Sequence, residues 1–237
     1  MKAAATGAAA RGARPTVVYH ALRELIVRGQ LAPGARIVES DVATRLHVSR
    51  TPVRGALQRL TQEGYVVDSP SLQQSRPTVA PMTREDAMEL FSIVGEIEGL
   101  AARYAAQLAA GVREHLAAEL TTLNTRLGKA AAVKAPRHDL LHLLDERFHR
   151  AYVLAAAGPR LLALHDMVKP QAERYERLYV SLLSRGLAPS VKEHDAITRA
   201  IRSGDADVAQ RAVQANWRNA ATRLGAVIIT VGERGAW

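Results

Sequence analysis

Two sets of residues carry types and spacings that could do chemistry. The first is Asp145 and His149, four apart in RHDLLHLLDERFHRAYVL. On a helix that spacing puts both side chains over one point of a single face. His194 stands ten residues before Gly204 and Asn216 twelve after it. If Ser203-Gly204 turns a helical hairpin, His194 and Asn216 meet across it. One carboxylate, two imidazoles and an amide then converge, a mixed N/O set suited to Zn, Ni or a similar divalent ion. The competing reading of the same four residues is a hydrogen-bonded polar core without metal.

The second set lies in HVSRTPVRGALQRLTQE, residues 47–63. Val53, Ala56, Leu57 and Leu60 recur at helical spacing and form one apolar stripe. Arg50, Thr51, Arg54, Gln58 and Arg59 lie off it. Ser49 is placed to cap this helix, Pro52 sits in its first turn, and Gly64 ends it. A helix with a dry back and a front of Arg, Thr and Gln suits a DNA major groove, where arginine bonds two acceptors of guanine and other cations find phosphates. A solvated amphipathic helix is the plainer alternative.

The elements that would position these residues follow from the same patterns. Residues 17–29 carry Val18, Leu22, Leu25 and Ile26 at helical spacing and stop at Gly29. Pro33-Gly34 is a turn, residues 36–38 a short strand, and residues 41–46 a second helix joined to the arginine helix through His47-Val48. Helix, helix, turn, helix is a helix-turn-helix unit with its recognition helix last. Residues 65–67 and 78–80 would be two strands of a wing. Thr83 and Asp86 open an all-helical remainder: residues 84–105, 115–127, 137–157, 161–184 with Pro170 kinking it, 191–202 and 205–229. Residues 129–136 and 186–189 would be loop and turn. The expected fold is mainly α, a winged helix-turn-helix followed by an antiparallel helical bundle. The expected boundaries are a tail at 1–14, a DNA-binding domain at 15–81, an effector and dimerisation domain at 82–230, and a tail at 231–237.

Composition narrows the classes. A chain of 237 residues with 48% hydrophobic residues can bury two cores, and 4% aromatics means that they rest on Leu, Val and Ala. Absence of cysteine removes disulfides and thiolate metal sites. No apolar run reaches the length of a membrane span. The net charge is +9, and residues 1–80 hold 11 Lys/Arg against 5 Asp/Glu. Two thirds of the excess therefore sits in one third of the chain, which points to a polyanionic partner there.

The run GQLAPGARIVESDVATRLHVSRTPVRGALQRLTQEGYVV closely resembles the N-terminal domain of the GntR transcription regulators. LDERFHRAYVLAAAGPRLL and KEHDAITRAIRSGDADVAQRAV resemble the FCD-type effector domain of the FadR subfamily. The resemblance implies a winged helix-turn-helix, a double-stranded DNA operator, a small-molecule effector, and a divalent metal on Asp145, His149, His194 and Asn216. Asn216 departs from the family, which more often has His and would bind the ion more tightly. Gly55 stands where the family usually has Glu, Pro77 where a wing glycine is usual, and Val94 where an arginine often grips a carboxylate effector. Arg103, Tyr104, Arg174 and Tyr175, with Tyr179, are the alternative pocket candidates.

The expected protein is thus a cytoplasmic, nucleoid-associated homodimeric repressor of a palindromic operator, with no enzymatic activity and no membrane partner. Its DNA contacts would be Arg36, Ser49, Arg50, Thr51, Arg54 and Arg76. A metal-dependent hydrolase with a DNA-binding appendage and a DNA-compacting architectural protein are the rivals. The first lacks a spare general base, a Gly-rich phosphate loop and a nucleophile elbow. The second has no need of a long patterned helical domain.

Overall fold

A computed structural model of the chain describes residues 15–69, 76–183 and 187–235. These fall into two compact units, one of residues up to Thr83 together with 233–235, the other Arg84–Gly232. The first unit holds α1 (Pro15–Val27), α2 (Glu39–Arg45), α3 (Arg50–Gln62), β1 (Val66–Ser69) and β2 (Arg76–Val79). Its core joins Val18, Leu22 and Ile26 of α1 to Val53, Ala56, Leu57 and Leu60 of α3, as the apolar stripes require.

Local chemistry sets the ends of α3. Ser49 occupies the N-cap position in extended conformation, but its hydroxyl makes no capping bond, contrary to expectation. The reason lies three residues on, where Pro52 has no N–H to offer. At the other end Gly64 has φ +78°, and the Tyr65 N–H reaches the Leu60 carbonyl at 2.9 Å, which closes the helix in a Schellman turn. The helix passes through Gly55 without interruption. Between α2 and α3, His47 takes φ +54°, the tight connection of the helix-turn-helix.

The wing is shifted from the expected strands. Val66 pairs with Val79 and Asp68 with Pro77, antiparallel. Pro77 costs no β1–β2 bond, because its carbonyl faces the other way and accepts from the Ile37 N–H at 2.8 Å. Residues 36–38 supply a single bridge, Arg36 to Thr78, rather than a strand. The wing tip and residues 1–14 lie outside the described residues. The segment expected as a free tail from 231 differs as well: α9 runs to Val231, and Arg234 and Met82 exchange backbone hydrogen bonds of 2.8 and 3.1 Å.

The second unit comprises α4 (Arg84–Ala106), α5 (Ala110–Ala131), α6 (His138–Ala156), α7 (Pro159–Leu183), α8 (Leu187–Ser203) and α9 (Ala206–Val231). The six expected helices are present, most of them longer than expected. Pro189 falls in the first turn of α8 rather than in a loop, where its missing N–H has no helical partner to lose. Asp205 caps α9 through the Val208 N–H at 3.0 Å. Helix α4 lies at the centre and packs on α6, α7, α8 and α9. Its closest approach is to α9, at Gly95 and Gly99. A Cβ on Gly95 would come within 3.0 Å of the Trp217 Cβ, and one on Gly99 within 3.1 Å of Gln214.

Gly95→Val should therefore force α4 from α9 and lower bundle stability by about 1–3 kcal/mol, as overpacking does. Chemical denaturation of the full chain checks this. An unchanged midpoint for the bundle transition would mean that the contact is soft.

Candidate functional site

Helix α6 carries Asp145 and His149 one turn apart, and α8 brings His194 to them. One ligand atom from each lies within 4.8 Å of the other two. The rings are set by their neighbours. Phe148 stacks on His194 with centroids 4.0 Å apart and an angle of 6° between the planes. Asn124 on α5 gives its amide N–H groups to the Val191 carbonyl at 2.9 Å and to Asp195 at 2.7 Å. Its oxygen is thereby turned to His194 Nδ1 at 3.2 Å. Nδ1 must be the protonated nitrogen, so Nε2 carries the lone pair. That Nε2 is buried without a hydrogen-bond partner, with Asp145 Oδ1 at 3.6 Å. Burial, then the neighbouring His149, push His194 well below the usual imidazole range, so it stays neutral as a metal ligand must.

His149 is held from behind. Its Nδ1 lies 2.7 Å from Glu98 Oε2, and the Tyr152 hydroxyl and the Trp217 indole N–H donate to the same oxygen at 2.7 and 2.9 Å. His165 Nε2 meets the other oxygen at 3.0 Å. Burial opposes the charge on Glu98, but His149 and His165 hold its carboxyl well below the usual range. Burial likewise opposes a charge on His149, and Glu98 outweighs it and raises the imidazole. A histidine backed by a carboxylate on one nitrogen and open on the other is the usual arrangement of a metal-bound imidazole. Burial also raises Asp145, whose side chain keeps 28% exposure toward the cavity.

Asn216 reaches the same cavity by a different commitment. Its amide N–H donates to Glu193 at 2.8 Å, which leaves the amide oxygen as the atom available to a ligand. Glu193 also takes Asn219 at 2.9 Å and the Arg223 guanidinium at 2.9 and 3.1 Å, tying α9 to α8. The cavity has a volume of about 370 Å³, and Asp145, His149, Asn216, His142, Trp217 and Arg223 are among its lining. That is the size of a small-molecule pocket.

The four pocket candidates from the sequence are not in that lining. Arg103 is bound to Asp207 and, at 3.3 Å, to Gln210. Tyr104 is exposed on the outside of α4. Arg174 is buried in α7, and Tyr175 is buried with its hydroxyl on Asp86 at 2.5 Å. The side chain of Tyr179 lies outside the described residues. Val94 is buried in the core. Glu98, Asn124 and His142 were missed as site residues, although Glu98 interrupts an otherwise apolar face of α4, which is the signal a buried carboxylate leaves.

In the first unit Arg36, Ser49, Arg50, Thr51 and Arg54 are all exposed. Arg54 is forked onto Glu39 of α2, Nε to Oε1 at 3.1 Å and Nη2 to Oε2 at 3.0 Å. Arg59 is exposed too, but its guanidinium lies 3.8 Å over the Tyr19 ring and its Nε 2.8 Å from Glu63. The side chain of Arg76 lies outside the described residues.

A winged helix-turn-helix followed by a six-helix bundle is the architecture of a transcription regulator. The chain belongs to the GntR family of bacterial regulatory proteins, whose profile matches residues 16–70, and carries an FCD domain at residues 89–219. It is 32% identical over 146 residues to an HTH-type transcriptional regulator of Agrobacterium vitis, covering 61% of this chain and 81% of that protein. It is 28% identical to the probable D-xylose utilization operon transcriptional repressor of Paenarthrobacter nicotinovorans, covering 84% of each. A GntR regulator structure from Rhodococcus sp. RHA1 superposes with a TM-score of 0.65 over 89% of this chain and 96% of that one, at 23% identity. Family and relatives are regulators, not enzymes. Among the described residues no helix is long and apolar enough to cross a membrane.

Because Glu98 collects four donors in a buried place, Glu98→Leu should strand them and cost the bundle about 3–5 kcal/mol. Denaturation of the full chain measures this, and a loss under about 1 kcal/mol would show the cluster to be dispensable.

Proposed function

We propose that this regulator is a repressor that binds an inverted-repeat operator as a homodimer and is tuned by an effector in the bundle cavity, next to a divalent ion. The observation that carries the reading is the buried His194 Nε2, without a partner, beside Asp145 and His149 at the wall of that cavity. A bound cation would supply a Lewis-acidic point for an oxygen of the effector. The chain's own part is to hold His194 neutral, to back His149 with Glu98, and to present the Asn216 oxygen as a weak further ligand. Repression accords with the name of the Paenarthrobacter relative. Two copies are needed because one recognition helix reads only a few base pairs, and two-fold symmetry matches a palindrome. An effector need shift DNA affinity by only about 1–3 kcal/mol.

On the DNA side, Arg50 and Arg54 read bases or phosphates, with Arg36, Ser49, Thr51 and Arg76 assisting at the backbone. Glu39 holds the Arg54 fork in place until DNA acceptors replace it. Arg54→Ala should weaken binding to a selected operator by about tenfold or more. Equal affinity of variant and wild type in a titration at fixed salt would remove Arg54 from the interface. A footprint covering two symmetric half-sites is expected in the same experiment.

On the metal side, purified protein should take up one divalent ion per chain. His149→Ala should abolish uptake and Asn216→His should strengthen it. Calorimetry with Zn, Ni, Co and Mn measures both. No uptake at neutral pH, or uptake indifferent to His149→Ala, would return these residues to a polar core.

A further inference from the structure

The chain passes between the two units twice. It leaves the winged unit after Thr83 and, beyond the end of α9, returns to it at Glu233. The two crossings are joined. Met82 and Arg234 form an antiparallel bridge, with the Met82 N–H on the Arg234 carbonyl at 2.8 Å and the Arg234 N–H on the Met82 carbonyl at 3.1 Å. Met82 is buried, so the bridge has an anchored side. One residue on, Gly235 takes φ +75° and lies against the Pro33-Gly34 turn. A Cβ there would collide with the backbone of that turn, 2.5 Å from the Pro33 carbonyl carbon, so only glycine fits. The turn adjoins the proposed DNA contacts. The Gly34 N–H donates to the Val79 carbonyl of β2 at 3.0 Å, the Val79 N–H donates to the Ala35 carbonyl at 2.9 Å, and Arg36 follows as the bridge partner of Thr78. Residues 233–235 therefore strap the part of the winged unit that carries β2 and Arg36.

The other end of the strap is a cavity helix. Ala220, Arg223, Ala226 and Val227 of α9 line the cavity. Val227 stands five residues before Gly232, roughly 7–8 Å along the axis. Gly232 ends the helix with φ +85° and its N–H on the Ile228 carbonyl at 2.8 Å, which turns the chain directly into the strap. Phe91 lines the cavity two turns into α4, the helix that follows the first crossing. Both connections to the winged unit thus issue from helices that wall the cavity. A unit tethered at one point swivels about it. A unit tethered at two points that are hydrogen-bonded to each other loses most of that freedom. The loss matters on DNA, because two half-sites are read together only when two recognition helices stand at the half-site spacing. A preset arrangement avoids the ordering cost at the moment of binding.

We propose that residues 233–235 are a second tether that sets the spacing of the two recognition helices, with Arg234 and Gly235 as positioning residues for operator reading. This rests on the reading of the protein as a homodimer on an inverted repeat. The test is titration of the full-length, Zn-equilibrated protein at fixed salt with three duplexes: a selected operator, the same operator with one base pair inserted between its half-sites, and a single half-site. The insertion turns one half-site against the other by about 35°. It should weaken wild-type binding by about tenfold or more, no less than a mismatched base pair does. Gly235→Val puts a branched side chain into the Pro33-Gly34 backbone, and Arg234→Pro removes a bridging N–H. Each should narrow the gap between the two operators to about threefold or less, because a released unit reaches either spacing. Arg234→Ala keeps the backbone bonds and should leave the gap as in wild type. Half-site affinity should stay unchanged in Gly235→Val and Arg234→Pro, which separates positioning from damage to the winged core, and so should Zn uptake. A gap unchanged in both of these variants, a gap that closes in Arg234→Ala, a wild type indifferent to the insertion, or loss of half-site binding in both variants would overturn the assignment. A wild type that binds the half-site as tightly as the operator would instead remove the inverted-repeat reading itself.

Discussion

The bundle is arranged around a carboxylate with no exposure. Glu98 sits in the middle of α4, and donors converge on it from His149 and Tyr152 of α6, His165 of α7 and Trp217 of α9. An isolated buried charge is strongly disfavoured, so each donor must be in place for the fold to hold. That requirement fixes the rotation of α4 against three neighbours. It is met only because Gly95 and Gly99 let α9 come close enough for the Trp217 indole to reach across. The same bonds aim His149 at the cavity, so the packing constraint and the orientation of a candidate metal ligand have one origin.

His194 is oriented by a separate chain of contacts. Asp195 and the Val191 carbonyl fix the Asn124 amide, the amide fixes the imidazole tautomer, and Phe148 fixes the plane of the ring. What emerges at the end is a buried nitrogen lone pair without a hydrogen-bond partner. Preorganisation of this kind lowers the ordering cost of binding.

The winged unit uses simpler physics. Its apolar stripe is buried and its arginine face is exposed, as DNA reading requires. The arginines nevertheless divide. Both are exposed, but Arg59 lies over the Tyr19 ring and on Glu63, while Arg54 sits on a carboxylate fork with Glu39 of α2. The two lie five residues apart on the same helix, and only their neighbours in space distinguish them.

The sequence by itself determined a great deal. Periodicity of Val53, Ala56, Leu57 and Leu60, the glycine at 64 and the charge excess before residue 80 define the reading helix. The i, i+4 pair of Asp145 and His149 and the turn at Gly204 define where a metal would sit. Six helical stretches were legible because apolar spacing is a local property of the chain. Only the tertiary structure decided which polar groups were already spoken for. Asn216 was legible as a ligand by position, but Glu193 takes its amide nitrogen from another helix. Arg103 and Tyr175 had the right chemistry for a pocket, but Asp207 and Asp86 hold them elsewhere. Ser49 had the right type for a capping bond but faced a proline. His142 was an ordinary histidine in the sequence and became a cavity residue once α7 and α9 closed around it. The availability of a side chain depends on partners distant in sequence, and its spacing along the chain carries no record of them.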